Sequence, residues 1–587
     1  MTVNEKVEKL REVLRENNLK AWIINGTDPH ESEYVCPRWQ SRKFISGFSG
    51  SAGTVIVTLE KALIWVDSRY FVQCADQIKG TVFEMRKTNG PEATSPVDYL
   101  KNTFTKEDRV GIAAETLMVK EKRNYEKNGI SICAMDDLLN RIWTDRPDMP
   151  STPVDKMSVK YSGETTKSKI ERMRKKAAED KADYMLISSL DDIAWILNMR
   201  ADDVEDTPVF LSHLLIGKDT VELFTPPERF SSYDISKEAF ELFPYEETAS
   251  HLSKLKDVTL RLNPARINME LFNALDPSVK IQEGLEYSTD FKACKNRTEI
   301  AGMRKAHILD GVALVNFLSD VERNKSKDGY YTELSISKAL EDERKKMKEY
   351  LGPSFSTIAG FADHGAVVHY SATEETDRKI TGNGLLVLDS GGQYMFGTTD
   401  ITRTLLFGKA TKQQKEDYTM VLKGHLALAA QVFPDNTDGH QLDILAHMFL
   451  WNRGLNFFHG TGHGVGHRLA VHEGPQRISS APSSAGIFLK EGMVVSDEPG
   501  LYREGSHGIR IENLISVTKY KKTEFGQFLT FEELTCCPYE RRLILKEMLT
   551  DEEIHLIDCY HEWVYNSLIS LVDKRARAYL KKATRPL

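Results

Sequence analysis

Long apolar runs are missing from this 587-residue chain. No stretch approaches the roughly 18 uninterrupted apolar residues of a membrane-spanning helix, so no membrane partner is expected. The stretch from Met1 to Asn18 carries Val7, Leu10 and Leu14 among charged residues. It lacks the apolar core of about 7–15 residues and the small-residue cleavage site of a secretory leader. Cysteine is scarce as well. Cys36, Cys74, Cys133, Cys294, Cys536, Cys537 and Cys559 are odd in number and form no CxxC pair, so they read as reduced thiols of a cytoplasmic protein. Blocks of one charge are also absent. The net charge is −8, with Lys and Arg scattered, which argues against a nucleic-acid groove and in favour of a small substrate.

Repetition, by contrast, is present. A chain of this length exceeds one core and should divide into about three or four domains. A helix over Asn4–Asn17 leads into a strand at Ala21–Asn25, the segment Phe44–Gly50, and a hairpin of Thr54–Thr58 with Ala62–Asp67. The same order recurs: a helix over Lys167–Asp180, a strand at Tyr184–Ser188, the segment Ile193–Met199, then strands Val209–Ile216 and Thr220–Phe224. Two duplicated α/β domains follow from that recurrence. The proline-rich Arg146–Pro153 is the expected linker. A third region opens near Asn296, where Ile300, Met303, His307, Gly311, Leu314 and Leu318 fall on one helical face. A charged helical tail, Thr550–Lys582, closes the chain. The expected boundaries are 1–150, 151–290 and 291–587.

Within the third region a second pattern occurs twice. Gly384-Leu-Leu-Val-Leu-Asp389 and Gly492-Met-Val-Val-Ser-Asp-Glu498 are buried-type strands ending in acids. Each precedes a second acid-bearing strand, Asp400-Ile-Thr-Arg-Thr404 and Ile509-Arg-Ile-Glu512. Separations of 11 and 14 residues suit a turn between adjacent antiparallel strands, which would bring each pair together. Four gathered carboxylates repel unless cations neutralise them, and two divalent ions would balance the charge. Oxygen-rich donors favour Mn²⁺-like metals over a thiolate zinc site. Between the pairs lies His459-Gly-Thr-Gly-His-Gly-Val-Gly-His467, with His472 shortly after. Glycine at this density is incompatible with a helix and lets backbone approach a site. His463, at its centre, is the candidate to complete a metal shell.

These stretches resemble the pita-bread-fold metallopeptidases, and within them the aminopeptidase P (Xaa-Pro aminopeptidase) family. The likeness is carried by Asp389-Ser-Gly, Gly397–Thr404, His459–Gly466, Val471-His-Glu-Gly-Pro475, Glu498-Pro-Gly500 and Gly508–Asn513. Towards the N-terminus it extends to Ser46–Thr54, Asp67-Ser-Arg-Tyr-Phe71, Trp143–Pro147 and Asp191–Trp195. The resemblance implies an α/β (α+β) architecture of two duplicated N-terminal creatinase-like domains and a pita-bread catalytic domain. It implies metal ligands at Asp389, Asp400, His463, Glu498 and Glu512, with Asp400 and Glu512 bridging two divalent ions. Mn²⁺ is favoured, with Zn²⁺ and Co²⁺ as alternatives. It further implies substrate or transition-state contacts at His369, His459 and His472, an active-site arginine at Arg510, and peptide binding by Arg69. Relatives of this three-domain type are cytosolic homodimers acting on peptides with N-terminal Xaa-Pro. Ser68, Gly392 and Leu534-Thr-Cys-Cys-Pro538 depart from the family pattern without touching a ligand position.

Such a site would hydrolyse the first peptide bond, with Glu498 moving the proton and His472 and His369 donating to the developing oxyanion. The Xaa-Pro bond is a tertiary amide without an N–H, which explains a dedicated enzyme. Three alternatives remain within the fold. A prolidase cuts Xaa-Pro dipeptides only, and the duplicated N-terminal domains speak against it. A metal-free creatinase-like hydrolase or a non-catalytic binding protein would lack ligand residues, and here all five are present.

Overall fold

The computed structural model describes residues 1–90 and 92–587. It forms two compact units, one of 1–157 with 164–288 and one of 158–163 with 289–587.

The first unit contains the same sheet twice. In the first, the strand order is Phe83–Lys87, Ala62–Val66, Thr54–Thr58, Ala21–Ile24, Val110–Ala113, Ile132–Met135. In the second it is Glu241–Phe243, Val221–Phe224, His213–Gly217, Tyr184–Ile187, Thr259–Leu262, Lys280–Glu283. Parallel and antiparallel pairings also match, neighbour by neighbour. Trp22, Ile24, Val55 and Val57 pack under the helix Val3–Glu16, while Ala21, Ile23 and Ile56 share a core with Leu186, Leu215 and Leu260 of the second sheet. That division is the alternation of a strand buried on both faces.

Two expectations shift. Ile193–Met199 lies mainly in a helix, Leu190–Leu197, ended by Asn198 in the left-handed region at φ 52°. The second hairpin begins at His213 rather than Val209, because the Leu211 N–H donates to Asp203 Oδ2 (2.9 Å) instead of to a neighbouring strand.

The second unit contains the 28-residue helix Arg297–Asn324, capped by Asn296 and Glu299. All six residues placed on its apolar face are buried. Against it pack a three-stranded sheet (Ile358–Phe361, Gly384–Ser390, Ile401–Phe407) and a four-stranded one (Phe433–Pro434, Gly526–Glu533, Asn513–Thr523, Val494–Asp497). Lys412–Ala429 and Gly439–Trp451 are helices, and the tail is two helices, Asp551–Leu568 and Arg577–Ala583, rather than one.

Candidate metal centre

The acids meet because two antiparallel strand pairs end at one place. Gly384–Ser390 pairs with Ile401–Phe407 with Asp389 opposite Thr402, and Asp400 lies just outside that register. Val494–Asp497 pairs with Asn513–Thr523 with Asp497 opposite Asn513. Glu498 and Glu512 are the next residues outward on those strands. The gaps are not simple turns, contrary to the spacing argument. Strands Gly392–Tyr394 and Gly397–Thr398 fill the first. In the second, His507–Arg510 pairs with Gly500–Arg503 as a separate hairpin, so the partner of the Glu498 strand is the one that begins after Glu512.

The two sheets are joined at this end. The Glu512 N–H donates to the Thr402 carbonyl (3.1 Å), and the Thr402 hydroxyl donates to Glu512 Oε2 (2.8 Å). The buried Arg403 guanidinium donates to the carbonyls of Thr402 (3.0 Å), Glu512 (2.7 Å) and Cys537 (2.7 Å). It also donates to Asn513 Oδ1 (2.8 Å).

The glycine-rich loop runs along the Val494–Asp497 strand. Glu498 N–H donates to the Thr461 carbonyl (2.8 Å) and Val465 N–H to Val494 (3.2 Å). A Cβ at Gly462 would stand 1.9 Å from the Ser496 carbonyl, so only glycine allows this approach. His463 Nδ1 lies 3.0 Å from the Gly464 carbonyl. A carbonyl only accepts, so Nδ1 carries the proton. Nε2 is thereby turned toward Asp400 Oδ2 and Glu498 Oε1, each 3.5 Å away. Such an outer hydrogen bond is how a metal-binding histidine is oriented.

Asp400, His463 and Glu512 offer donor atoms within 4.8 Å of one another. Arg510 Nη2 donates to Asp389 Oδ2 (2.6 Å), and the buried Asp389 Oδ1 has no hydrogen-bond partner. Burial, then repulsion by the neighbouring acids, pushes the Glu512 carboxyl far above its ordinary range. Burial also raises Asp389, and it raises Glu498 to about 7. His463 rises to about 9 although burial opposes it, because Asp400 and Glu498 hold the imidazolium. A buried donor set so short of positive charge fits two divalent cations.

These shifts fix a test on the metal-free protein. For Glu498 the stabilising contribution is complete below the ordinary 4.5 and is lost as pH rises through about 7. For His463 it is complete below 6.5 and lost through about 9. Both act in one direction. Chelated protein should therefore lose Tm as pH rises between about 5 and 9, and added Mn²⁺ should restore it most at the alkaline end. A chelated Tm that climbs with pH over this window would rule the repulsion out.

Beside the acids runs a directed chain of hydrogen bonds. Arg510 Nη1 donates to the Tyr502 oxygen (2.7 Å), and Tyr502 O–H donates to His459 Nε2 (2.9 Å). His459 Nδ1 meets the Gly460 carbonyl (2.8 Å), so Nδ1 is protonated and Nε2 accepts. Tyr502 was not singled out by sequence. The register alone explains it: Gly500 stands opposite Arg510 and Gly508 opposite Tyr502, so the two large side chains meet over glycines. A Cβ at Gly500 would lie 2.5 Å from the Tyr502 hydroxyl.

His369 is half-buried in the loop after Ile358–Phe361, and the carbonyl of its neighbour Val368 accepts from Arg510 Nη1 (3.3 Å). The His472 ring lies edge-on to His463, 4.3 Å between centroids. Next to it, Glu473 is fully buried and paired with Lys292 (2.9 Å) and Lys295. Arg69 belongs to the first unit, where Asp67 holds its guanidinium through two 2.8 Å bonds.

Residues 301–519 match the model of metallopeptidase family M24. Residues 6–144 and 145–299 each match a creatinase/prolidase N-terminal domain, and 527–587 match the C-terminal region of peptidase M24. Xaa-Pro aminopeptidase 1 of Dictyostelium discoideum is 35% identical over 616 residues, covering 100% of this chain and 97% of that protein. The chain belongs to metallopeptidase family M24. In this family the X-prolyl aminopeptidase of Caenorhabditis elegans, described as a cytosolic enzyme with a di-nuclear active site, superposes with a TM-score of 0.95. It is 32% identical, with each chain fully covered. The prolidase of Pyrococcus horikoshii shares the fold at 23% identity and TM-score 0.52, over 63% of this chain and 99% of its own. Among the described residues no helix is long and apolar enough to cross a membrane.

Proposed function

We propose that the chain is a dinuclear metalloaminopeptidase that releases the first residue from peptides with proline second. The observation that carries this is the full-length match to Xaa-Pro aminopeptidases, at 35% and 32% identity. Asp389, Asp400, His463, Glu498 and Glu512 would hold two divalent ions. The oxygen-rich donor set supports Mn²⁺ over Zn²⁺ or Co²⁺.

When bound, the cations supply Lewis acidity, lowering the pKa of water and polarising the scissile carbonyl. Glu498, seated against the Ser496 hydroxyl (3.3 Å), accepts the proton of the attacking water and delivers it to the proline nitrogen as the bond breaks. His472 and His369 donate to the oxyanion that develops on the carbonyl oxygen. Arg510 orients Asp389 and anchors the chain through Tyr502 to His459, which borders the substrate. Arg69 binds the peptide from the N-terminal region. The chain works as three domains, 1–150, 151–290 and 291–587.

A cytoplasmic homodimer is part of the proposal. Ile444, Met448 and Trp451 form an exposed apolar stripe at i, i+4, i+7 of the helix Gly439–Trp451. Such a stripe supports a contact with a second copy.

Metal analysis of protein reconstituted with Mn²⁺ should approach two ions per chain, and an Xaa-Pro-Xaa tripeptide should be cleaved after its first residue. Chelation should abolish that cleavage. Full activity at zero metal content, or cleavage restricted to Xaa-Pro dipeptides, would overturn the assignment.

A further inference from the structure

We infer that Glu333 is a positioning residue for catalysis: its buried carboxylate gathers four donors from the loop 361–378 and so sets the place of His369. This rests on the proposed role of His369 as a donor to the substrate carbonyl oxygen.

Glu333 begins the helix Glu333–Arg344 and is completely buried. Its Oε1 accepts from the Phe361 N–H (2.7 Å) and from His364 Nδ1 (2.9 Å). Its Oε2 accepts from the Tyr370 hydroxyl (2.9 Å) and the Arg378 N–H (3.2 Å). The four donors span both ends and the middle of the loop, and Tyr370 is the residue after His369. Burial raises the Tyr370 phenol, which keeps it a donor.

The histidine in this cluster is fixed in one tautomer. Arg378 Nη2 lies 2.8 Å from His364 Nε2 and can only donate. Nε2 therefore accepts, and Nδ1 carries the proton that Glu333 receives. Arg378 is itself held by Asp363 and by the Phe361 carbonyl (3.2 Å). Within the loop, Ala362 adopts φ 54°, a left-handed conformation that Cβ contacts disfavour in a non-glycine residue. Glu333 is the side chain on which the loop's polar groups converge. A glutamine there has one carbonyl oxygen and an NH₂ that would face donors, so the four bonds cannot all be kept.

The test is a double-mutant cycle read in kcat for an Xaa-Pro-Xaa peptide, with metal content measured alongside. Glu333→Gln should keep both ions and lower kcat about ten- to hundredfold, the scale of a misplaced catalytic group. In a His369→Ala background the same substitution should change kcat less than about twofold, because there is no longer a donor to misplace. Tyr370→Phe, which removes one donor and spares the carboxylate, should show the same non-additivity with a smaller loss if Glu333→Gln does not fold. Should His369→Ala retain wild-type kcat, the role of His369 falls and this inference with it. Should His369→Ala lose rate while Glu333→Gln and Tyr370→Phe keep it, or the losses simply add, only the role of Glu333 is overturned.

Discussion

Glu498→Gln should leave the fold intact and reduce turnover at least about a hundredfold, the scale of losing a general base. Glutamine keeps the length and shape of the side chain, and the Glu498 backbone N–H still reaches the Thr461 carbonyl. It cannot accept the proton of the attacking water, and it removes one of four acidic charges from a site where the acids raise one another's pKa. The effect should fall on kcat more than on KM, since substrate contacts at His369, His459 and His472 are untouched. One metal should also bind more weakly. Steady-state kinetics at saturating Mn²⁺, with metal content from the same preparation, measures both. Turnover near wild type would place the proton-transfer role on another residue.

The second large effect separates two histidines that lie side by side. His463 points Nε2 into the acid cluster, with Nδ1 bonded to the Gly464 carbonyl. His463→Ala should therefore lower metal occupancy and activity together, with partial rescue at excess metal. His472 packs edge-on against His463, and its proposed role is to donate to the substrate rather than to hold a metal. His472→Ala should keep both ions and lose rate. Removing one transition-state donor costs about 2.7–4 kcal/mol, or about a hundred- to thousandfold in turnover. If His472→Ala strips a metal while His463→Ala keeps both, the two roles are reversed.

The sequence by itself determined the chemistry on offer. Two acid-ended apolar strands, two further acids and a glycine-spaced histidine loop supply the candidate donors, because ligand type and close backbone approach are properties of residue identity. It also determined the duplication in the N-terminal region, since the repeated order of helix, strand and hairpin needs no knowledge of contacts. Only the tertiary structure decided which strands pair. The spacing of Glu498 and Glu512 allowed a direct turn, yet the intervening residues fold as a hairpin of their own and the pairing passes to Asn513–Thr523. Tyr502 gained its role from the opposing glycines of that hairpin, and Glu333 from a loop that begins 28 residues further along the chain. Arg510 reaches Asp389 across 121 residues of sequence. Hydrogen-bond direction, histidine tautomer and the charge imbalance of the acids arise from such long-range contacts and from burial, which local spacing does not encode.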